Sequence, residues 1–193
     1  MQRLVGAQSL ISGARRVVSA RAAKPEEPVH VVLLMGVCGS GKSTVGRLLA
    51  KRLDWTFLEA DTFHLPEARQ RMAQGQPLDE ADREPWIARI AEALAAQLAR
   101  REDTVLACSA LRAVHRDRLA QVAGAGWHVV HLAGPAELIA ERLRERRGHY
   151  AGPELLESQL ATLENPTDAQ SLSIDQSPKA LVDSIASWLD GEC

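Results

Sequence analysis

The chain is short of the residues that mark special environments. Cysteine is scarce: Cys38, Cys108 and Cys193 form no Cys-x-x-Cys pair. An odd number cannot all be bridged, so a disulfide scaffold is excluded and free thiols in a reducing compartment are expected. No apolar run approaches the ~18 residues that a membrane-spanning helix needs, so no membrane partner is expected. Charge of either sign is not in excess, with a net charge of -2 and 25% charged residues. That balance excludes a basic nucleic-acid-binding coat. Lysine is rare as well, four against nineteen arginines. Internal repeats, low-complexity blocks and a dividing linker are all missing.

What is present suits one core. At 193 residues and 46% apolar, the chain can bury roughly 70% of its unfolded surface in a single domain. The first 28 residues differ from the rest: Arg3, Arg15, Arg16, Arg21 and Lys24 precede any acid. That composition fits a transit peptide and equally a disordered extension. Residues 1–28 are therefore read as a flexible or targeting-like extension, and 29–193 as one domain. The expected location is the cytoplasm, with organellar import as the alternative. From Glu26 onward all 25 acids face 18 of the 23 bases, a net charge of -7.

Short apolar runs then alternate with longer helical patterns, which predicts an α/β fold with a parallel sheet wrapped by helices. Strands are expected at Val29–Met35, Thr56–Glu59, Thr104–Cys108, His128–Leu132 and Leu172–Ile174. Helices are expected over residues 43–53, 83–101, 135–147 and 177–189. In the second, Trp86, Ile90, Leu94 and Leu98 recur every four residues. Asp82 is its expected N-cap, with Pro85 in the first turn.

Directly behind the first strand stands "GVCGSGKS", Gly36-x-x-x-x-Gly41-Lys42-Ser43. This is the Walker A pattern, which a chain of this length shows by chance on the order of once in a hundred. Its glycines let successive N–H groups turn inward on phosphate oxygens, and the following helix adds its positive end. The expected nucleotide-binding residues are Gly36, Val37, Cys38, Gly39, Ser40, Gly41, Lys42, Ser43 and Thr44. Lys42 is expected to reach the β- and γ-phosphates of ATP, and Ser43 to ligate Mg²⁺. Cys38 could be a redox sensor, because helix N-termini lower thiol pKa values, or simply a small loop residue.

The class of nucleotide protein follows from further absences. No aspartate is followed three residues later by glycine, as a GTPase switch would require, and the third strand ends in "VLACSAL" without an acid. A small-molecule kinase is the leading class. Asp61, directly after the second strand, is placed to accept the proton of an attacking hydroxyl. In "ERLRERRGHYAGPELL", Arg142 and Arg146 share a helix face set off from Ile139 and Leu143, the form of a short arginine-bearing lid. His128 and His131, three apart in a strand, should face opposite ways and make poor co-ligands. Cys108 and the tryptophans read as packing residues, with Trp86 also a candidate for the acceptor pocket.

Taken together, "LLMGVCGSGKSTVG", "DTFH", "RMAQGQPLDEADREPWI", "LACSALR", "HRD" and "RERRGHYAGPELLESQLATLENP" resemble the gluconokinase family in order and spacing. The resemblance runs from about Val29 to Leu189. It implies an adenylate-kinase-like P-loop NTPase fold, often dimeric, with a five-stranded parallel sheet and a short lid. The implied reaction moves the γ-phosphoryl of ATP to the 6-hydroxyl of D-gluconate. It further implies Asp61 as base, Lys42, Arg142 and Arg146 as phosphate and lid cations, and Ser43 as the magnesium ligand. His64, Arg83 and Ser109 would bind gluconate, with Arg83 as the carboxylate partner. The chain departs from the family pattern at Leu65, Ala68, Arg112 and His115, which bears on acceptor choice and leaves the phosphate machinery intact. A kinase of another small acid or polyol, such as shikimate, and a nucleotide-binding regulator without turnover are the alternatives.

Overall fold

The computed structural model describes residues 28–74, 76, 78–145 and 153–192. Residues 1–27, Gly75, Pro77, residues 146–152 and Cys193 lie outside that description, so the basic extension and half of the expected lid do too. The elements run β1 (Val31–Met35), α1 (Lys42–Leu53), β2 (Thr56–Glu59), α2 (Pro66–Ala73), α3 (Glu80–Ala99), β3 (Thr104–Ala107), α4 (Ala113–Ala123), β4 (Trp127–Ala133), α5 (Ala136–Glu145), α6 (Pro153–Thr162), β5 (Gln170–Ser173) and α7 (Pro178–Glu192).

The five strands form one sheet in the order β2-β3-β1-β4-β5, and every pairing is parallel. Parallel strands are joined by crossovers that cover both faces, so the central strand must be apolar throughout. β1 meets that demand, with all five residues fully buried. Val32 and Leu34 point into one core with Val130, Leu132, Leu49 of α1 and Ile185 of α7. Val31, Leu33 and Met35 point into the other with Leu106, Val129 and the α3 residues Ile87, Ile90 and Leu94. Each buried Leu or Ile contributes about 1.5–3 kcal/mol, so the sheet's centre is the rigid part of the molecule. Its alternation also separates the two histidines of β4. His128 shares a face with Val130 and meets His30, while His131 lies buried on the other face, near Arg116.

The start of α3 differs from the expectation. Asp79, not Asp82, is the N-cap, and Asp82 sits at N3, where each side chain takes the other's backbone N–H in a capping box. Pro85 is consequently inside the helix rather than in its first turn. Asp82 also bonds Arg71 of α2 at 2.6 Å, so a contact beyond the local sequence favours the earlier start. β5 begins two residues before the expected strand and ends at Ser173, and β1 starts at Val31 rather than Val29.

All five strands point their carboxyl ends the same way, and β1 lies between strands whose connections leave in opposite directions. Ligands of such sheets bind in the crevice at those carboxyl ends. Among the described residues no helix is long and apolar enough to cross a membrane.

Candidate active site

The loop after β1 has the backbone its glycines allow. Gly36 has φ 142°, and a Cβ there would stand 2.7 Å from the Leu132 carbonyl oxygen. Gly39 has φ 80°, and a Cβ would press on Leu143 and Ile139 at 2.9 and 3.0 Å. The apolar pair of α5 thus packs directly on the loop. Ser40, 1% exposed, keeps an unpartnered hydroxyl in the same turn.

The start of α1 is open. Its first backbone bond is from Val45 to the Gly41 carbonyl, so the amides of Gly41, Lys42, Ser43 and Thr44 have no helical partner. No side chain caps them, and no acid stands in the first turn. Four uncompensated donors at the positive end of a twelve-residue helix form an anion site. The amide of Cys38, another residue of the expected cradle, donates to Gln159 Oε1 at 2.6 Å.

Lys42 Nζ bonds the Val37 carbonyl at 2.9 Å. Burial lowers its pKa, and the carboxylates of Asp61 and Glu59 are among the charges that oppose this. Asp61 itself is exposed in the 3-10 turn Ala60–Phe63 that follows β2. Its charge also acts on Glu59, His64, Cys38 and Cys108, which places it at the junction of phosphate loop and sheet. Burial pushes the Cys38 thiol up, against a sensor's lowered pKa, and the buried Cys108 thiol up to about 12.

Glu59 was missed in the sequence. It lies 3.5 Å from Arg47, and burial raises its pKa against the lowering effect of the Ser43 side chain. The signal was an acid at the end of an apolar strand, present on β2 rather than on β3. Ser43, Glu59 and Asp61 supply hard oxygen donors beside the loop. Among the described residues no group of three or more His, Cys, Asp or Glu side chains is placed to hold a metal. A hydroxyl and carboxylate oxygens are the donor type that Mg²⁺ takes, one or two from protein, with phosphates and water completing its shell.

Two hollows are lined by these and neighbouring elements. One is lined by Gly39, Ser40, Gly41 and Thr44 with Arg142 and Gln176. Arg142, half-buried on α5, donates to the Ile174 carbonyl at 2.5 Å. Arg146 lies outside the described residues. The second hollow is lined by His64, Arg83, Trp86, Ser109, Arg112 and His115 on one side and by Leu155, Ser158, Gln159 and Thr162 of α6 on the other. The three residues expected to bind acceptor, His64, Arg83 and Ser109, are together in it.

His64 is 5% exposed, stacks on Trp86 at 4.4 Å and 8°, and leaves Nδ1 without a partner. Trp86 is itself held by a 2.8 Å bond to the Ala60 carbonyl. Burial lowers the His64 pKa, Asp61 raises it, and Arg69 and Arg83 lower it. Arg112 and His115 are clamped by Glu80 at 2.5 and 2.7 Å, and Arg112 also lies 3.7 Å from Glu164. Arg83 has no ion pair among the described residues. Of the four departures, Arg112 and His115 line the hollow, whereas Ala68 is buried and Leu65 exposed elsewhere.

Arg116 was also missed. Buried at 8%, it donates to the carbonyls of Ala110 and Leu111, both at 3.0 Å. Ala110 has φ 40°, a left-handed turn that costs about 1–2 kcal/mol for a residue with a Cβ. The arginine holds that turn, and the turn sets Ser109, whose carbonyl receives the Gly36 amide at 3.5 Å.

Comparison with known proteins agrees with this geometry. Residues 31–166 match a family model described as an AAA domain. A probable gluconokinase of Rattus norvegicus is 42% identical over 170 residues, covering 78% of this chain and 92% of that protein. The crystal structure of a gluconokinase from Sinorhizobium meliloti is 40% identical, with a TM-score of 0.72 over 81% of this chain and 88% of that one. An unliganded sugar kinase from a Janibacter species is also 40% identical, with a TM-score of 0.78 over 84% and 95%. An open helix start behind a glycine loop, a polar hollow beside it and this degree of likeness over most of the chain lead to one conclusion: the chain belongs to the gluconokinase family of P-loop kinases.

Proposed function

We propose that the protein transfers the γ-phosphoryl of ATP to the 6-hydroxyl of D-gluconate. The observation that carries this reading is the unequal state of the two arginines in the second hollow. Arg112 is paired with Glu80 and Glu164, whereas half-buried Arg83 has no ion pair among the described residues, which leaves it as a cation for a substrate carboxylate. The unpartnered Nδ1 of His64 and the Ser109 hydroxyl suit a chain of hydroxyls.

In this reading the triphosphate lies on the amides of Gly41–Thr44, with the Lys42 ammonium on the β- and γ-oxygens. Arg142, and Arg146 from the lid, neutralise charge on the moving phosphoryl. Asp61 accepts the proton of the 6-hydroxyl as its oxygen attacks phosphorus, a role worth ~10²–10⁴ in rate. Ser43 and Glu59 would hold Mg²⁺, which when bound offsets phosphate charge and aligns the leaving group.

ADP release coupled to a reporter, measured with D-gluconate, shikimate, AMP and no acceptor, tests the assignment. Turnover with gluconate, and ~10²–10⁴-fold less in Asp61→Asn at unchanged ATP affinity, is the expected result. Turnover only with shikimate or AMP would replace the acceptor. Hydrolysis without any acceptor preference would favour the regulatory alternative.

A further inference from the structure

Gln159 links the second hollow to the phosphate loop. It stands on α6, whose residues Leu155, Ser158, Gln159 and Thr162 form one face at helical spacing and line the acceptor hollow. From that face its side chain crosses to the phosphate loop, where Oε1 receives the Cys38 N–H at 2.6 Å. A backbone N–H can only donate, so the amide oxygen must face the loop. The remaining NH₂, two donors, then belongs to a side chain whose other surroundings are the acceptor hollow.

The helix is anchored for such a role. At its C-terminal end the Glu164 N–H donates to the Leu111 carbonyl at 2.9 Å, and the Glu164 carboxylate receives the Ala113 N–H at 2.5 Å. Leu156, 4% exposed, fixes the middle of α6 in the core shared by α1 and α7. The turn so anchored is the one that follows Ser109 and is held by Arg116. Phosphate loop, acceptor strand end and α6 are thereby linked through groups with defined donors and acceptors.

We infer that Gln159 is a positioning residue of the transfer step: its carbonyl reads the place of the phosphate loop while its NH₂ donates to an acceptor hydroxyl, which sets the distance between acceptor oxygen and γ-phosphorus. This rests on the acceptor lying in the second hollow, as in the function proposed above. Misplacing an acceptor by about 1 Å costs ~10²-fold in rate, so one amide with two partners suffices for a large effect.

Two variants separate the two ends of the amide. Gln159→Met keeps length and helix preference but removes both groups. Gln159→Glu keeps an oxygen for Cys38 and removes the NH₂. Both are expected to lower kcat with gluconate by ~10²-fold and to raise its KM, with ATP affinity within about threefold of wild type, and to raise the ratio of ATP hydrolysis to transfer. Amide exchange read by ¹⁵N NMR should show Cys38 protected in the wild-type protein and in Gln159→Glu, and exposed in Gln159→Met. Wild-type kcat and KM in Gln159→Glu would overturn the donor role, and an unprotected Cys38 amide in the wild-type protein would overturn the link itself. A wild-type enzyme that prefers another acceptor overturns only the gluconate assignment. The variants are then compared on that acceptor, and the exchange result stands independently of it.

Discussion

The starts of α1 and α3 solve the same problem in opposite ways. Each leaves four backbone amides without helical partners. α3 satisfies two of its own through the Asp79–Asp82 capping box, and Glu80 adds a further acid to the first turn. α1 does nothing of the kind, with glycine at the cap, φ 98°, no capping side chain and no acid. A capped start is worth about 0.5–2 kcal/mol, so α1 forgoes stability that α3 takes. The difference marks which helix end is built for a ligand and which for holding a wall. The wall matters too, because the first two turns of α3 present Arg83 and Trp86 to the acceptor hollow and Glu80 to Arg112 and His115.

The largest break in this comparison comes from removing the cation that completes the open end. Lys42→Met should lower kcat by ~10³-fold while leaving thermal stability equal or higher, since a partly desolvated charge is lost. Phosphoryl transfer and a melting curve on the same preparation check both halves.

Making α1 resemble α3 is the next test. Thr44 is exposed and lines the nucleotide hollow, so Thr44→Glu places an acid in the first turn. It should raise stability by about 0.3–1 kcal/mol and weaken ATP binding by at least ~10-fold, because the carboxylate competes for the same amides. Calorimetric titration with ATP and chemical denaturation report the two opposed effects. Stronger ATP binding would contradict the anion-site reading.

The converse change, Asp79→Ala, should cost about 0.5–2 kcal/mol in urea unfolding and leave ATP affinity unchanged. A modest rise in the acceptor KM is expected as Arg83 loosens, with kcat altered less than KM.

The smallest expected effect is a pH term from His64. Burial holds its folded pKa below the ordinary 6.5, against Asp61, with Arg69 and Arg83 adding to the depression and Asp82 opposing it. The unfolded chain therefore binds a proton more readily, and stability falls as pH drops from about 6.5 through the lower folded value. His64→Phe should flatten that slope of unfolding free energy between pH 7 and 5. An unchanged slope would assign it to other groups.

Much of this was legible locally. Strand positions showed because a doubly covered parallel sheet needs continuous apolar runs, and "GVCGSGKS" showed because a phosphate turn demands small residues at set spacing. His64, Arg83 and Ser109 were named through the family resemblance alone, and the fold brings all three to the lining of one hollow. The start of α3 was misjudged by one turn because Asp79 and Asp82 are both competent caps. Arg71, from another helix, pairs with Asp82. Glu59 was legible in principle, as an acid closing an apolar strand, but on β2 instead of β3.

By itself the sequence determined what depends on neighbours along the chain: the period of buried residues, the phosphate turn, and the place of an acid directly after β2. Tertiary structure alone decided which amides stay open and which are taken. Cys38 meets Gln159 across 121 positions, and the fold brings Glu80 and Glu164 to Arg112 but, among the described residues, no carboxylate to Arg83. Local pattern encodes conformation through sterics and burial, whereas the pairing of distant polar groups exists only once the sheet has set the helices around its edge.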